Sequence, residues 1–411
     1  MKTSVLSIRD FRWLWTGSLV SHLAQWIQQT TLGWVVYDIT GSGALLGAIL
    51  GVRAVPILLF APFAGVAADR YSRRHLMLGS ALLAVGASFI FGAGLAWGTI
   101  KTWHLFAFVV TAGMVNLLDR PARLTTVFDL VPREMAMRAV ALNSVSFSMA
   151  RIAGPACAGY LIAWFGPAGN FFIQALIYLI AAALVLAIVF PARKPRARKL
   201  SARTELIEGF RYAGRNRAVR LQLALGLIAF FLMAPAWNTV LPVFAKDVFN
   251  AGPQGLGIML TAVGVGGTLG SIGASMLARA NRQGWVQAGA LLAMAGGLLG
   301  CAFSPSIAVA FVFLAISGGA EMVMVTSNQT MLQMCAPEEM RGRIAGLIQF
   351  YPAVISLGAL MSGVLIDLAG ARGATILIAV AAALFVIGML AGSARLRGLS
   401  LSEYRYASGE R

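Results

Sequence analysis

The chain has 411 residues, of which 59% are hydrophobic and only 12% are charged, whereas a typical soluble protein carries about 25% charged residues. This composition excludes an ordinary soluble domain. In a soluble chain, the net charge of +18 would indicate a nucleic-acid partner. Here the basic residues lie between apolar segments, so the charge reflects orientation in a membrane and predicts no nucleic-acid binding.

Long uncharged segments predict membrane-spanning helices. Residues 76–100 and 168–190 carry no charged side chain, and each reaches the roughly 20 residues that a helix needs to cross the hydrocarbon core. Strands of a membrane barrel would instead alternate polar and apolar residues. We therefore predict an all-α membrane protein with twelve spans. They lie at residues 12–39, 43–68, 75–97, 103–127, 139–164, 168–191, 219–245, 254–278, 284–302, 306–331, 343–367 and 373–393.

The basic residues predict the orientation in the membrane. Of the 33 Lys and Arg residues, 28 fall on the side of the termini, and an excess of basic residues marks the cytoplasmic side. An even number of spans places both termini on that side. We expect a multi-pass protein of the bacterial inner membrane with both termini cytoplasmic.

Nothing in the sequence predicts a metal, a cofactor or a catalytic residue. Cys157, Cys301 and Cys335 are far apart in the sequence, so they indicate neither a disulfide framework nor a metal cluster. There is no Gly-x-x-x-x-Gly-Lys-Ser/Thr loop for ATP, and no His-Glu-x-x-His pair for zinc. We therefore expect no enzyme activity.

The chain consists of two similar halves joined by a basic linker. We predict an N-terminal six-helix half at 1–191, a cytoplasmic linker at 192–218 that is helical near 204–212, and a C-terminal half at 219–411. The segment that begins with Pro132 recurs at Pro337, and Gly154 and Gly159 correspond to Gly358 and Gly363. A parallel repeat of six and six helices is typical of a transporter with its substrate between the halves.

A charged motif between the second and third spans links this pattern to a family. Gly65, Asp69, Arg70, Arg73 and Arg74 form a Gly-x-x-x-Asp-Arg-x-x-Arg-Arg motif that resembles the loop motif of the major facilitator superfamily. The resemblance implies a gating role. Asp69 would contact the start of the eleventh span near residues 341–344 and close the cytoplasmic side, where a helix dipole favours a carboxylate by about 0.3–1 kcal/mol.

Further segments resemble one branch of that superfamily. The sequences RDFRWLWTGSLVS from Arg9, YDITGSGALLG from Tyr37 and LNSVSFSMARIAGPACAGYLI from Leu142 are similar to those of the enterobactin-exporter-like transporters, also called transmembrane secretion effectors. This resemblance implies a monomeric secondary transporter that exports a small amphipathic molecule, siderophore-like or drug-like, by alternating access and proton antiport.

The fifth span carries an antiporter-like motif. Gly154, Pro155 and Gly159 resemble the Gly-Pro-x-x-x-Gly core of the superfamily's drug antiporters. Small residues allow helices to approach closely, and the proline permits a bend. Ordinary small-residue packing would explain the same pattern.

Polar residues within the spans are candidates for the substrate cavity. His22, Gln25 and Gln29 lie on one face of the first span, and in this fold the first, fourth, seventh and tenth spans line the cavity. Asn116, Trp237 and Asn238 follow the same reasoning. Bonds to neighbouring helices are the alternative for each of them.

Charged residues deep in the spans are candidates for coupling. Glu321 and Asp119 are the acids well inside spans, and an acid at that depth is a functional hypothesis by default. We expect Glu321 to be the proton-coupling group and Asp119 to be the next candidate. Arg53 and Arg151 would pair with these acids, or would bind an anionic part of the substrate.

Other functions remain open from the sequence. A nutrient importer or facilitator of the same fold would show the same spans, and export follows from the branch resemblance alone. A membrane-embedded enzyme would need converging catalytic groups, but His22, His75 and His104 are scattered. A non-transporting receptor or scaffold would have no need for buried acids.

Overall fold

The computed structural model describes residues 4–60, 71–191, 202–277 and 282–398, and within these ranges every regular element is a helix. The elements of the first part of the chain are α1 (Arg9–Thr40), α2 (Gly43–Gly51), α3 (54–60), α4 (Arg73–Ala96), α5 (Thr102–Leu130) and α6 (Ala136–Leu186). Then follow α7 (Ala202–Arg215), α8 (Arg217–Leu227), α9 (Ala236–Val243), α10 (Gly252–Leu277), α11 (Gln283–Phe303), α12 (Ile307–Met334), α13 (Glu338–Ile348), α14 (Tyr351–Gly392) and α15 (Ala394–Arg397).

Nine helical segments in the described ranges are long and apolar enough to cross a membrane. Two of them, Arg133–Leu186 and Glu339–Gly392, have 54 residues each, about twice the length that one crossing needs. The predicted spans coincide with helices to within one residue at most ends, but the sixth runs five residues past the end of α6 at Leu186. Residue 278 of the eighth span lies outside the described residues, turns interrupt the eleventh span at 349–350, and turns interrupt the second at 52–53. Residues 61–68 of that span lie outside the described residues.

Two glycines form sharp corners within the longest helices. Gly166 in α6 and Gly370 in α14 have the same backbone conformation, with φ 69° and ψ 172°. This region of the Ramachandran map is open essentially to glycine alone. Each corner divides a 54-residue segment at the position where the sequence predicts the end of one span and the start of the next.

Contacts between Cα atoms divide the chain into two compact units. The first comprises Met1–Gly41, Val52–Lys199 and Ala251–Thr261, and the second comprises Ser42–Gly51, Leu200–Asn250 and Ala262–Arg411. All of α2 and the start of α10 therefore belong to a different unit from their neighbours in sequence.

Two clusters of buried side chains lie within the described part of the first unit. At one end, α1, α4, α5 and α6 pack around Phe11, Leu14, Met77 and Val127. A second cluster joins the same four helices through Ala24, Ala84, Val115 and Tyr178. These clusters hold the first, third, fourth and sixth predicted spans together.

The start of α10 also packs in the first unit, against α6. A Cβ atom added at Gly159 would lie 2.6 Å from the carbonyl oxygen of Pro253, and one added at Gly257 would lie 2.6 Å from that of Pro155. The hydroxyl of Thr261 donates a hydrogen bond to the carbonyl oxygen of Ile152 at 3.0 Å. The residues of the antiporter-like motif therefore form a close helix–helix contact.

In the second unit, α2 packs closely against α14. A Cβ atom added at Gly47 would lie 2.3 Å from the carbonyl oxygen of Ala359, and one added at Gly363 would lie 2.2 Å from that of Gly43. Only glycine permits backbones to approach this closely. We call this contact between α2 and α14 the glycine seam.

The seventh predicted span is interrupted by π-helical turns. Such turns occupy Ile228–Met233 and Phe244–Val248, on either side of the short helix α9. A π-helical turn inside an α-helix is frequent at functional sites. Trp237 and Asn238, two of the candidate cavity residues, lie in α9 between them.

The linker helix α7 is part of the second unit and contacts its neighbours there. Glu208 forms an ion pair with Arg343 at 2.8 Å, and the hydroxyl of Tyr212 donates to the carbonyl oxygen of Cys335 at 3.4 Å. The helix extends beyond the predicted range of 204–212. The linker therefore contacts the residue that follows α12 and the first residue of the eleventh predicted span.

Candidate substrate and proton-coupling site

A buried ion pair lies in the fourth predicted span. Nε of Arg123 is 2.6 Å from Oδ2 of Asp119, one helical turn earlier, and the two residues are only 4% and 5% exposed. Arg123 also donates from Nη2 to the hydroxyl of Ser21 at 2.8 Å, and Ser80 donates to Oδ1 of Asp119 at 3.3 Å. The pair therefore connects α1, α4 and α5.

This pair corrects the expectation for Asp119. The sequence predicted that Arg53 and Arg151 pair with Asp119 or Glu321, or bind an anionic part of the substrate, whereas the ion-pair partner of Asp119 in the structure is Arg123. Arg123 had been counted among the basic residues on the side of the termini, because it lies near the end of its span. The spacing of four residues, which places an acid and a base on one helical face, was the signal that could have found it.

Aromatic and cationic side chains meet where α1 contacts α6. His22 lies edge-on to Phe147, with ring centroids 5.4 Å apart, and Trp26 lies 5.8 Å from the same ring. The guanidinium of Arg151 lies over the Trp26 ring at 5.8 Å, a cation–π geometry. The structure thus brings together two predicted cavity residues, His22 and Arg151.

Gly154 makes this contact between α1 and α6 possible. A Cβ atom at position 154 would lie 2.4 Å from the Cβ of Trp26, too close for any residue except glycine. The motif in the fifth predicted span therefore packs in two directions, against α1 through Gly154 and against α10 through Pro155 and Gly159.

The remaining polar residues of α1 and α5 have different surroundings. Gln28, beside the predicted stripe, accepts a hydrogen bond from Tyr178 at 3.4 Å. Asn116 donates to the carbonyl oxygen of Ala112 in its own helix at 2.9 Å. Gln25 and Gln29 are partly buried in α1.

In the second unit, Glu321 is 8% exposed in α12. Two turns later in the same helix, Asn328 donates to Gln222 at 3.0 Å and accepts from the hydroxyl of Tyr351 at 2.9 Å. The indole nitrogen of Trp237 is buried and has no hydrogen-bond partner within the described ranges. Buried donors of this kind are normally satisfied by water or a ligand.

The charged loop motif is described only in part. Gly65, Asp69 and Arg70, and with them the predicted contact of Asp69, lie outside the described residues. Arg73 forms an ion pair with Asp129 and donates to the carbonyl oxygen of Thr125 at 2.8 Å, while Arg74 is exposed. Arg73 thus binds the last turn of α5.

Asp367, which the sequence analysis did not single out, caps the first turn of α2. Its Oδ1 accepts from the backbone N–H of Gly43 at 2.6 Å, and its Oδ2 accepts from the hydroxyl of Ser42 at 2.7 Å and the N–H of Ala44 at 3.1 Å. Ser42 accepts from the N–H of Leu45 at 3.2 Å. The free donors of this helix end are thus satisfied, and the cap lies at one end of the glycine seam.

We expect Asp367→Asn to loosen the glycine seam, because an amide loses the charge and turns one acceptor into a donor. The loss of a cap is worth about 1 kcal/mol, or roughly a fivefold change in an equilibrium. The measurement is alkylation of Ile366→Cys by a water-soluble maleimide in a variant without native cysteines. Ser42→Ala removes one of the three hydrogen bonds to Asp367 and should increase the alkylation rate by less. Equal alkylation rates of Ile366→Cys alone, with Asp367→Asn and with Ser42→Ala would refute the role of the cap.

Comparison with known proteins places the chain in a family. The profile of the transmembrane secretion effectors matches residues 2–405. The chain belongs to this family of the major facilitator superfamily. Its members are membrane transporters, so the chain is a transporter and not an enzyme.

Named relatives are efflux and siderophore transporters. The chain is 25% identical to the staphyloferrin A transporter of Staphylococcus aureus, with 87% of this chain and 90% of the relative covered. It is 26% identical to the multidrug efflux pump Tap of Mycolicibacterium fortuitum, with 90% and 92% covered. It is 23% identical to macrolide efflux protein A of Streptococcus pyogenes, over 64% of this chain and 65% of the relative.

Solved structures support the fold. A bacterial homologue of the human lysosomal transporter Spinster, crystallised in an inward-facing and unoccupied conformation, matches 97% of this chain and 98% of its own, with a TM-score of 0.73 at 15% identity. The nucleoside transporter NupG matches 93% of this chain and 98% of its own, with a TM-score of 0.72 at 15% identity. The fold is that of a major facilitator transporter.

Proposed function

We propose that this transporter exports a small amphipathic molecule by alternating access, driven by proton antiport. The observation that carries the proposal is the buried pair of Asp119 and Arg123 in the fourth predicted span, together with the buried acid Glu321 in the tenth. Ionisable groups at this depth are costly and usually functional. The efflux function of the named relatives supports the direction of transport.

The proposed architecture is twelve spans in two six-helix halves, 1–191 and 219–411, joined by the linker 192–218. The glycine corners support it, because each divides a 54-residue segment into two crossings. When the 32-residue helix α1 is added to the apolar segments, the count reaches twelve. The identical corners also support a common origin of the halves.

We propose a monomer in the bacterial inner membrane with both termini cytoplasmic, as the distribution of basic residues predicts. The loop motif Gly65–Arg74 would gate the cytoplasmic side, and the ion pair of Arg73 with Asp129 supports a structural part for its arginines. The substrate cavity would be lined by the polar side chains of the first, fourth and seventh spans. Its proposed members are His22, Gln25, Gln29, Arg53, Asn116, Arg151, Trp237 and Asn238.

The coupling proposal has a physical basis in the ion pair. The pair holds a carboxylate and a guanidinium in direct contact within the fourth predicted span, and a movement of the halves that separates them would leave the carboxylate free to bind a proton. Glu321 would bind and release its proton by the same change of surroundings.

We expect Glu321→Gln or Asp119→Asn to uncouple transport from the proton gradient. Neutralising the coupling residue should reduce uphill transport into inverted membrane vesicles by at least about tenfold. Exchange of substrate at equal pH should continue, because a carboxylate that carries the proton is needed only for the coupled step. Glu134→Gln, at an exposed acid, is the matched control.

The two variants also separate the candidates from each other. Loss of uphill transport in Glu321→Gln alone would assign coupling to Glu321, and loss in Asp119→Asn alone would assign it to Asp119. Full uphill transport by both variants would exclude coupling through either acid. Loss of transport and exchange together in Glu321→Gln, with poor folding, would indicate a structural role for that acid instead.

A further inference from the structure

We propose that an anionic phospholipid binds by its phosphate group in a cleft of the second unit, between the start of α8 and the end of α14. The cleft has a volume of about 280 Å³ and is lined by Arg217, Arg220, Leu221 and Ser393. The ligand comes from the membrane and is not the transported molecule, so the proposal goes beyond the export function. It depends on the position of the cleft, on its guanidinium groups and on the acids of this unit.

The cleft lies at the ends of two predicted spans. Arg217 is the first residue of α8, just before the seventh predicted span at 219–245. Ser393 directly follows α14 and is the last residue of the twelfth predicted span at 373–393. A span ends where the hydrocarbon core meets the lipid headgroups. In the predicted orientation this is the cytoplasmic side, whose leaflet carries anionic lipids.

Both sides of the cleft are held in place by contacts within the second unit. The side-chain oxygen of Asn216 accepts from the backbone N–H of Ala218 at 2.9 Å and so caps α8, and its amide nitrogen donates to the hydroxyl of Tyr212 at 2.8 Å. On the other side, α15 packs against the start of α11, where a Cβ atom added at Gly284 would overlap the carbonyl oxygen of Leu396. The cleft is therefore a preformed feature of the fold.

Three side chains in the cleft can donate hydrogen bonds to a phosphate. Arg220 donates from Nη1 to the carbonyl oxygen of Gly214 at 3.0 Å, which holds its guanidinium in place and leaves its other N–H donors available. Arg217 is exposed on the same helix. Ser393 accepts from the backbone N–H of Leu396 at 3.2 Å, so its own O–H can donate. The planar fork of a guanidinium matches the oxygens of a phosphate.

The acids of the second unit do not balance these positive charges. Those whose side chains the structure describes are Glu208, Asp247, Glu321, Glu339 and Asp367. None of them forms an ion pair with Arg217 or Arg220. Glu208 pairs with Arg343 instead, and Asp367 caps α2. The negative partner of the two arginines therefore comes most simply from a bound anion.

The size and the apolar wall of the cleft favour a lipid headgroup over a whole transported molecule. Pockets for drug-sized ligands have volumes of roughly 300–1,000 Å³, and this cleft is smaller. Leu221 forms an apolar part of its wall. Leu227 follows Arg220 by seven residues, so it lies on the same face of α8, and it is exposed. An acyl chain that runs from the cleft along this face would contact Leu227.

The linker helix next to the cleft has the character of a membrane-surface helix. Ile207 and Phe210 of α7 are exposed apolar side chains, and Arg211 and Arg215 are exposed beside them. A helix with apolar and basic side chains of this kind lies at the membrane interface and attracts anionic lipids. The linker thus adds positive charge near the site and favours the lipid over a free phosphate as the ligand.

The test measures protection of the cleft by lipid. The full chain without its native cysteines and with Ser393→Cys is purified in a neutral detergent and alkylated by a water-soluble maleimide. Dioleoylphosphatidylglycerol at about ten times its dissociation constant should slow this alkylation about tenfold, because the unoccupied fraction of the cleft falls by that factor. Dioleoylphosphatidylcholine and sodium phosphate should not slow it. Ser275→Cys, exposed at the end of α10, is the matched control and should react at the same rate with and without phosphatidylglycerol.

Substitution of the arginines links this protection to the proposed donors. Arg217→Gln and Arg220→Gln should each raise the phosphatidylglycerol concentration for half-maximal protection by about tenfold, as expected for a lost hydrogen bond to a charged group. Arg220→Lys, which keeps the charge, should recover part of the affinity. Arg138→Gln, at an exposed position of α6, should leave the concentration unchanged.

The outcomes that would overturn the site do not depend on export. Equal protection by phosphatidylglycerol and phosphatidylcholine would contradict an anion site. Protection by sodium phosphate as strong as that by phosphatidylglycerol would assign the cleft to free phosphate and overturn the lipid. No protection at all, or an unchanged half-maximal concentration in Arg217→Gln and Arg220→Gln, would also overturn the proposal when the variants are well folded, as judged by monodisperse elution.

Discussion

Replacement of Asp119 by alanine is expected to destabilise the folded protein by about 3–5 kcal/mol, because Arg123 would be left buried without its carboxylate. In the structure this guanidinium is 4% exposed, so water cannot take the place of the lost partner without a rearrangement of α1 and α5. Thermal unfolding of the purified protein in detergent measures the effect. Glu134→Ala, at an exposed acid, is the control and should unfold like the wild type.

A second substitution sharpens this prediction. Asp119→Ala combined with Arg123→Leu removes both charges, and it should recover most of the lost stability because no uncompensated charge remains. The double variant should nevertheless fail in proton-driven transport, since it lacks the proposed coupling acid. A double variant no more stable than Asp119→Ala alone would show that the charge imbalance is not the cause of the destabilisation.

Substitution of Gly47 by valine is expected to prevent the glycine seam from forming. The added Cβ would lie 2.3 Å from the carbonyl oxygen of Ala359, and backbone cannot move aside as a flexible side chain can. Overpacking costs about 1–3 kcal/mol or more, which shifts a conformational equilibrium by about fivefold or more. Transport should fall accordingly, and the Ile366→Cys reporter should be alkylated faster.

A matched control exists in α4. A Cβ atom added at Gly79 would meet nothing within 4 Å, so Gly79→Val changes the same residue type in a helix without the clash. It should transport like the wild type. Equal transport by Gly47→Val and the wild type would mean that the close approach of α2 and α14 is not needed in the transport cycle.

The helices were predictable from the sequence because each span must satisfy its backbone within the helix and present an apolar surface. The break at Arg53 and the π-helical turns beside α9 were not, because they depend on packing against other helices. Arg123 could have been found from its spacing to Asp119. The role of Asp367 could not have been found in this way, because it accepts a hydrogen bond from the hydroxyl of Ser42, which lies 325 residues away in the chain.

The predicted substrate cavity stays a prediction, although the structure brings two of its candidate residues near one another. His22 and Arg151 lie near one another through Trp26 and Phe147, as residues of neighbouring helices can. Periodicity tells which residues share a helical face, but it does not tell which other face they meet. That information lies in tertiary packing, for example in the fit of Gly154 against Trp26.

The glycine corners at Gly166 and Gly370 have a practical consequence for work on this transporter. A connection made by a single residue in a glycine-only conformation leaves almost no chain for a protease to cleave or an antibody to recognise. An epitope or fluorescent reporter inserted at either corner would force a non-glycine backbone there and disturb two helices at once. The turns at Gly98 and Ser304, which separate independent helices, are the better insertion points.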